Sequence, residues 1–331
     1  MKSKIVCTVI KQLKANKYLI VSFVFFAIAL YLIEDTVLTE IKDGDFLHYV
    51  NHVGSPPNDN PPLVYLLLGV FGIFFSPLES FLVGELFLYG ALFITIYMVV
   101  VSVYGTHPIF SFYYFIFFYN VQKIFNGSPL KQILGLMLFF VFIGLFEHYK
   151  NNLILKHKLT LGFIGVLALL SHVIGFVLII GFLLIYFLLK YFNEKTINIS
   201  SLFKFGIVPA SIFGLAFYMF KNYYFFCGLL KLGKIFQINF ATISLNFARI
   251  INDYKLSFFV YFLIYAVSVV VNWKKINYLS LSILIVCSFF YFGATDGDYF
   301  FRFTSIVPLI LLFGFCELFR NVPTNFTKTF Q

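Results

Sequence analysis

Two carboxylates separated by one glycine, Asp43 and Asp45, follow the first long apolar run of the chain, and Tyr49 lies four residues after Asp45. Carboxylates at this spacing could act as a general base or hold a divalent cation against a diphosphate. Because Asp and Gly also favour turns, the alternative interpretation is a solvated turn. His48 and His52 follow on the same segment, which makes it the first candidate for chemistry.

A cation and an amide, Lys131 and Gln132, lie at the predicted start of a helix in the sequence NGSPLKQ at 126–132. An ammonium group at this position could hold a phosphate, and the partial positive charge of a helix N-terminus favours the same anion. The alternative is a lysine that extends its charge toward water beside an ordinary helix cap.

His172 interrupts an apolar run that extends from 159 to 192, with Ser171 before it and Gly175 three residues after it. Ionisable groups within membrane-length apolar segments are costly, which favours a functional role for this histidine. The alternative is a histidine that is satisfied by hydrogen bonds where two helices pack.

A third polar group, formed by Asp296, Asp298 and Arg302, lies in the sequence GATDGDYFFRF at 293–303. The fork of a guanidinium suits a phosphate or a carboxylate, so Arg302 could bind a substrate anion. The alternative is a local Asp–Arg pair at an interface. The segment 221–255 also mixes lysines with aromatic residues, a composition that favours contact with anionic lipid headgroups.

The elements that position these residues are expected to be membrane-spanning helices. Apolar residues make up 61% of the chain and charged residues only 11%, whereas about a quarter of the residues of a soluble domain are charged. Apolar runs near the length that crosses a bilayer recur along the chain, and backbone groups in lipid must be paired within their own segment. The composition therefore excludes a soluble domain large enough to act alone.

The net charge of +10 indicates membrane anchoring rather than binding to nucleic acid. Five lysines precede the first apolar run within residues 1–17, an arrangement that keeps a terminus in the cytoplasm. No basic patch interleaved with aromatic residues, of the kind that binds nucleic acid, follows them. The four cysteines have no short spacing, so we assign no disulfide framework, metal site or cofactor.

We predict an all-α integral membrane protein in which residues 1–331 form one polytopic domain of about ten transmembrane helices, with both termini in the cytoplasm. The predicted spans lie near 18–33, 81–104, 109–121, 131–148, 159–172, 174–191, 203–220, 256–272, 278–293 and 303–319.

The apolar segment 63–76 is predicted to be re-entrant or interfacial rather than a full span. Counting it as a span would put Lys150, Lys156 and Lys158 outside the cell, against the positive-inside rule. The predicted topology then has a cytoplasmic basic tail at 1–17, a first outer loop at 34–80 that contains the re-entrant segment, and a large outer loop at 221–255. It brings all the candidate residues to the outer face.

Taken together, these residues resemble the bacterial O-antigen and exopolysaccharide repeat-unit polymerases, the Wzy and EpsG-like group. Members of that group share a D…Y motif in the first outer loop, an N-G-x-R-Q turn that opens a helix, and an F-H or S-H break further on. The matching positions here are Asp45 with Tyr49, the turn 126–132, and Ser171 with His172, followed by a weaker match at Arg302. Lys131 stands where the group usually has arginine.

The resemblance implies an enzyme that joins undecaprenyl-diphosphate-linked oligosaccharide repeat units at the outer leaflet of the bacterial cytoplasmic membrane. In the mechanism we expect, Lys131 and Arg302 neutralise the diphosphate leaving group, and His172 or Asp45 deprotonates the acceptor hydroxyl. The expected substrate-binding residues are Lys131, Gln132, Asp43, Tyr49, Asp296 and Asp298. The implied partners are the lipid-linked oligosaccharide, the lipid bilayer and a chain-length regulator protein.

Two alternatives to a polymerase stay open on the sequence. Multi-spanning glycosyltransferases of the C type, which use polyprenyl-phosphate sugars, resemble the stretches NPPLVYLL at 60–67 and FFRFTSIVPL at 300–309, although those enzymes are usually much longer. A flippase for the same lipid-linked sugar would need a continuous polar pathway, and the cytoplasmic halves of the predicted helices hold few polar groups.

Overall fold

A computed structural model of the chain describes residues 44–57, 62–104, 130–151, 154–194, 240–249, 263, 266 and 278–293. The regular secondary structure of these residues is helical, and no strand occurs among them. The helices are α1 (Gly44–Asn51), α2 (Leu63–Phe71), α3 (Pro77–Tyr104), α4 (Leu130–Tyr149), α5 (Leu155–Ser171), α6 (Val173–Glu194) and α7 (Tyr278–Gly293). Residues 240–249 form a further helical stretch.

Three segments of these helices are long and apolar enough to cross a membrane: Pro77–Val100, Leu130–Tyr149 and Ile174–Glu194. Large apolar side chains on α3 and α6, such as Phe87, Ile94 and Leu184, are exposed on the helix surfaces, where lipid would solvate them. These features support the predicted helical membrane protein. The predicted spans 18–33, 109–121, 203–220 and 303–319, and all but two positions of 256–272, lie outside the described residues.

Helices α4 and α5 form an antiparallel hairpin. The ring of Tyr149, at the end of α4, stacks on the ring of His157, near the start of α5, with 3.9 Å between the centroids. At the other end of the hairpin, a Cβ on Gly135 of α4 would lie 3.5 Å from the Oγ of Ser171, the last residue of α5. The chain therefore reverses direction between α4 and α5.

Helix α6 runs parallel to α4, so the chain reverses again after α5. The rings of Phe139 and Phe182 lie 6.4 Å apart, and those of Phe146 and Tyr186 lie 4.9 Å apart. Residue numbers on α4 and α6 thus rise together along the contact. Helix α7 packs against α6.

Helix α3 also runs parallel to α4. Near its start, the Phe81 ring lies 5.9 Å from that of Tyr49, and the Tyr49 hydroxyl contacts Lys131 at the start of α4. Further along, a Cβ on Gly144 of α4 would lie 3.6 Å from a methyl group of Val99. Helices α3, α4 and α6 therefore begin at the same end of the bundle.

These directions give the bundle two chemically different ends. One end, here called the Lys131 end, holds the starts of α3, α4 and α6. The opposite end, here called the basic end, holds the turn between α4 and α5 and the last turns of α6. Among the described residues, four lysines lie at the basic end: Lys150, Lys156, Lys158 and Lys190.

Helix α2 enters the bundle from the Lys131 end but does not cross it. Tyr65, in its first turn, contacts Lys131, and the ring of Phe71, its last residue, lies 5.7 Å from that of Phe87 on α3. Its nine residues span only about 14 Å, less than half the hydrocarbon thickness of a bilayer. Residues 72–76 then return the chain to Pro77 at the start of α3. The chain therefore enters and leaves at the Lys131 end without crossing the bundle.

The turn between α2 and α3 combines an apolar tip with a polar helix cap. Ile73 and Phe74 are 74% and 78% exposed. Next to them, the Ser76 backbone N–H and hydroxyl donate to a carboxylate oxygen of Glu79 at 2.9 and 2.7 Å, and the Glu79 N–H donates to the Ser76 Oγ at 3.4 Å. This reciprocal pair is a capping box, which explains why α3 begins at Pro77.

Candidate functional site

A lysine enclosed by two tyrosines lies at the Lys131 end. The Nζ of Lys131 is 5.4 Å from the ring centroid of Tyr49 and 5.7 Å from that of Tyr65. It donates a hydrogen bond of 3.5 Å to the Tyr65 hydroxyl. The Lys131 backbone N–H donates to the Tyr49 hydroxyl at 3.5 Å, across 82 positions of sequence. We call Tyr49, Tyr65 and Lys131 the tyrosine–lysine cluster.

The sequence around α1 and α2 explains how the two tyrosines meet. Gly54 adopts a positive φ of 75°, and its N–H donates to the Tyr65 carbonyl at 3.0 Å. A Cβ on Gly69 would lie 2.6 Å from the Gly54 Cα, so the close approach of the turn to α2 requires glycine at both positions. The Tyr49 and Tyr65 rings are consequently held 5.6 Å apart, and both are almost completely buried.

The two tyrosines orient the positive charge of Lys131. Each tyrosine ring attracts the ammonium group by about 0.5–2 kcal/mol, depending on its exposure to water. The tyrosine rings and hydroxyls carry no formal charge. Lys131 is also the second residue of α4, at the end of the helix where the aligned peptide dipoles add partial positive charge. The arrangement is therefore suited to an anion.

Gln132 and Gly135 connect this cluster to the second candidate region. Gln132 is 1% exposed. One turn further along α4, a Cβ on Gly135 would lie 3.2 Å from the Cβ of His172. The fold thus brings Lys131, Gln132, Tyr49 and His172 to one end of the bundle, with His172 against the second turn of α4.

His172 forms the break that the sequence predicts between two helices. Helix α5 ends at Ser171, and His172 is extended, with φ −164° and ψ 135°. Its Nδ1 accepts a hydrogen bond of 3.2 Å from the Ile174 N–H, the bond that an N-cap side chain makes to the second helical residue. A neutral imidazole that accepts at Nδ1 carries its hydrogen on Nε2. His172 is 5% exposed, and it caps α6.

Two further histidines lie beside the tyrosines. His48 lies in the last turn of α1 and His52 directly after its end, and their rings are 4.6 Å apart. The His52 Nδ1 is 2.8 Å from the His48 carbonyl oxygen, and because a carbonyl can only accept, Nδ1 carries the hydrogen. The Tyr65 ring lies 5.9 Å from His48 and 6.3 Å from His52.

Several predicted site residues have no described side chain. Asp45 lies in the first turn of α1, one turn before Tyr49, but its side chain is outside the described part of the chain. Four others lie wholly outside it: Asp43, Asp296, Asp298 and Arg302. Among the described residues, no group of three or more His, Cys, Asp or Glu side chains could hold a metal ion.

Tyr65 is a residue of the cluster that the sequence does not predict. The only sign of its role is that Tyr65 is the one hydroxyl-bearing residue in the otherwise apolar run LVYLLL at 63–68. A tyrosine in such a run could equally have faced the lipid headgroups. The sequence likewise predicts no specific role for His52. Comparisons of the chain with protein-family models, with curated proteins and with solved structures find no match.

Proposed function

We propose that the protein polymerises oligosaccharide repeat units that are linked to undecaprenyl diphosphate, at the outer leaflet of the bacterial cytoplasmic membrane. The growing chain would be transferred from its lipid diphosphate to a sugar hydroxyl of the next lipid-linked unit. The ten-span topology with cytoplasmic termini is part of the same proposal. In it, the Lys131 end faces outward and the basic end faces the cytoplasm, in agreement with the positive-inside rule.

The observation that carries the proposal is the convergence of three separated sequence segments. The segments with the D…Y motif, the N-G turn and the S-H break supply Tyr49, Lys131 and His172. The Tyr49 hydroxyl bonds to the Lys131 N–H, and His172 packs against Gly135, one turn after Lys131. Residues that resemble one family's motifs in sequence are therefore neighbours in space.

The chemistry of the cluster fits a diphosphate leaving group. Charge develops on the diphosphate oxygen as its bond to the sugar carbon breaks, and a fixed cation stabilises that charge. Lys131, oriented by the rings of Tyr49 and Tyr65, supplies such a cation, and Arg302 is proposed to supply a second. The acceptor hydroxyl must lose a proton, for which His172 and Asp45 are the bases considered from the sequence.

The test is a surface-polysaccharide gel from a strain that lacks the gene, with and without a plasmid copy. In the strain that lacks the gene, we expect the ladder to be lost, which leaves lipid core capped by one repeat unit. The plasmid copy should restore the ladder. An intact ladder with shifted mobility or altered sugar composition would instead indicate a glycosyltransferase that decorates the repeat. Absence of any surface repeat, with lipid-linked units accumulating on the cytoplasmic side, would indicate a flippase.

Single variants then test the assigned residues. Alanine at Lys131, at His172 and at Arg302 should each shorten or abolish the polymer at normal protein levels. Unchanged polymer length in all three variants would contradict the assignment of these roles.

A further inference from the structure

We propose that His52 is the general base that accepts the proton of the acceptor hydroxyl. This inference rests on the proposed polymerase function and assigns a further catalytic residue within it. It is carried by the orientation of the imidazole and by its place beside the tyrosine–lysine cluster.

The hydrogen bond of His52 fixes which of its nitrogens can act as a base. Because Nδ1 donates to the His48 carbonyl oxygen at 2.8 Å, the neutral ring has its lone pair on Nε2. A backbone carbonyl that holds Nδ1–H in this way sets both the tautomer and the orientation of a histidine. His52 is partly exposed, so a substrate hydroxyl can approach the ring.

His172 has the opposite arrangement. Its Nδ1 lone pair already accepts the Ile174 N–H, so the neutral ring presents an Nε2–H, which donates. Accepting a proton at Nδ1 would break the bond that caps α6. His172 is also 5% exposed, in contact with α4. His52 is therefore better placed to act as the base. His172 acts as a helix cap and as a hydrogen-bond donor.

His52 and Lys131 are both neighbours of Tyr65. The Tyr65 ring lies 6.3 Å from the His52 ring, and its hydroxyl accepts from the Lys131 Nζ. A diphosphate held at Lys131 and a sugar hydroxyl at His52 would thus lie beside the same side chain. A displacement at the anomeric carbon needs the leaving group and the incoming nucleophile close to that one carbon, and this shared neighbour brings the two groups together.

The proposed step is balanced. The acceptor oxygen forms a bond to the anomeric carbon as the bond from that carbon to the diphosphate oxygen breaks. The hydroxyl proton goes to the His52 Nε2, and the leaving undecaprenyl diphosphate takes the electron pair of the broken bond. His52 then returns its proton to water, and no oxidant, reductant or other co-reactant is needed.

The test uses the purified full-length protein in lipid nanodiscs, with lipid-linked repeat units from a strain that lacks the gene. In His52→Asn, the amide N–H can keep the bond to the His48 carbonyl, while the base is lost. We expect the polymerisation rate to fall about 100-fold or more, the usual contribution of general base catalysis. The matched control is His148→Asn, an exposed histidine in the last turn of α4, which should retain the wild-type rate.

Added imidazole gives a second readout that a structural role would not produce. His52→Ala leaves space for imidazole beside Tyr65, so imidazole should raise its rate and leave the His148 control unchanged. A wild-type rate in His52→Asn, or a folded but inactive His52→Ala that imidazole does not rescue, would overturn the base assignment. If the wild-type protein itself makes no polymer in this assay, the proposed function fails instead.

Discussion

Gly135 of α4 and Gly175 of α6 are in direct backbone contact. A Cβ on Gly175 would lie 2.6 Å from the Gly135 carbonyl oxygen and 2.8 Å from its Cα. Lys131 lies one turn before Gly135, and His172 one turn before Gly175. The contact therefore sets the distance between the two candidate regions, because any side chain at this crossing would push the helices apart.

Gly175→Ala is expected to destabilise the bundle by about 1–3 kcal/mol, the usual cost of adding a methyl group to a packed core. The clash is with backbone atoms, which cannot rotate away as the end of a side chain could. The measurement is the free energy of unfolding in mixed micelles.

The matched control for this glycine is Gly165→Ala in α5, where an added Cβ meets no atom of the described residues within 4 Å. This variant should keep or increase the free energy of unfolding, because alanine favours a helix by about 1 kcal/mol over glycine. Equal destabilisation by both alanines would show that the crossing at Gly175 has no special role.

His172→Ala should lower the stability by about 0.5–2 kcal/mol, since it removes the N-cap of α6. His172→Asn should restore most of that loss, because the asparagine oxygen can accept the Ile174 N–H in place of Nδ1. Urea unfolding in micelles measures both variants. If asparagine destabilises the protein as much as alanine does, the capping bond does not account for the stability that His172 provides.

Much of the described fold could be predicted from apolar runs and breakers. The predicted spans 81–104, 131–148 and 278–293 coincide with α3, α4 and α7 within a few residues, because lipid imposes helices of this length. Ser171 with His172 is confirmed as a break. The start of α3 at Pro77 rather than 81 follows from the capping box of Ser76 and Glu79, a local signal that the apolar pattern does not contain.

The composition of the cluster could not be predicted in the same way. Tyr65 belongs to it because the turn at Gly54 and the contact of Gly54 with Gly69 fold α2 back onto α1. These are tertiary contacts between short segments, and hydropathy does not report them. The role of His172 as a cap likewise depends on the direction of one lone pair, which spacing along the chain does not determine.

Tyr65→Phe tests whether the hydroxyl orients Lys131 for the proposed reaction. The ring and its attraction for the ammonium group remain, and the hydrogen bond to Nζ is lost. We expect the polymerisation rate to fall about fivefold to tenfold, equivalent to about 1 kcal/mol for one hydrogen bond, with little change in stability. The assay is the nanodisc reaction with lipid-linked repeat units.

Tyr191→Phe is the control for the loss of a hydroxyl, because Tyr191 is exposed near the basic end and contacts Phe192. It should polymerise at the wild-type rate. An unchanged rate in Tyr65→Phe as well would show that the Tyr65 hydroxyl does not orient Lys131 for the reaction.

The exposed apolar turn between α2 and α3 is predicted to lie in the bilayer, at a shallower depth than Phe87. Phe74 is 78% exposed. It lies between the end of α2, which is at the level of Phe87, and the capping box at the start of α3.

The probe is Phe74→Trp in a protein whose single tryptophan, Trp273, is replaced by Phe. Lipids brominated near the headgroup should quench its fluorescence more than lipids brominated near the chain end. Phe87→Trp, on the exposed surface of α3, should show the reverse order. Water-like emission without quenching at position 74 would place the tip outside the membrane and contradict a re-entrant segment.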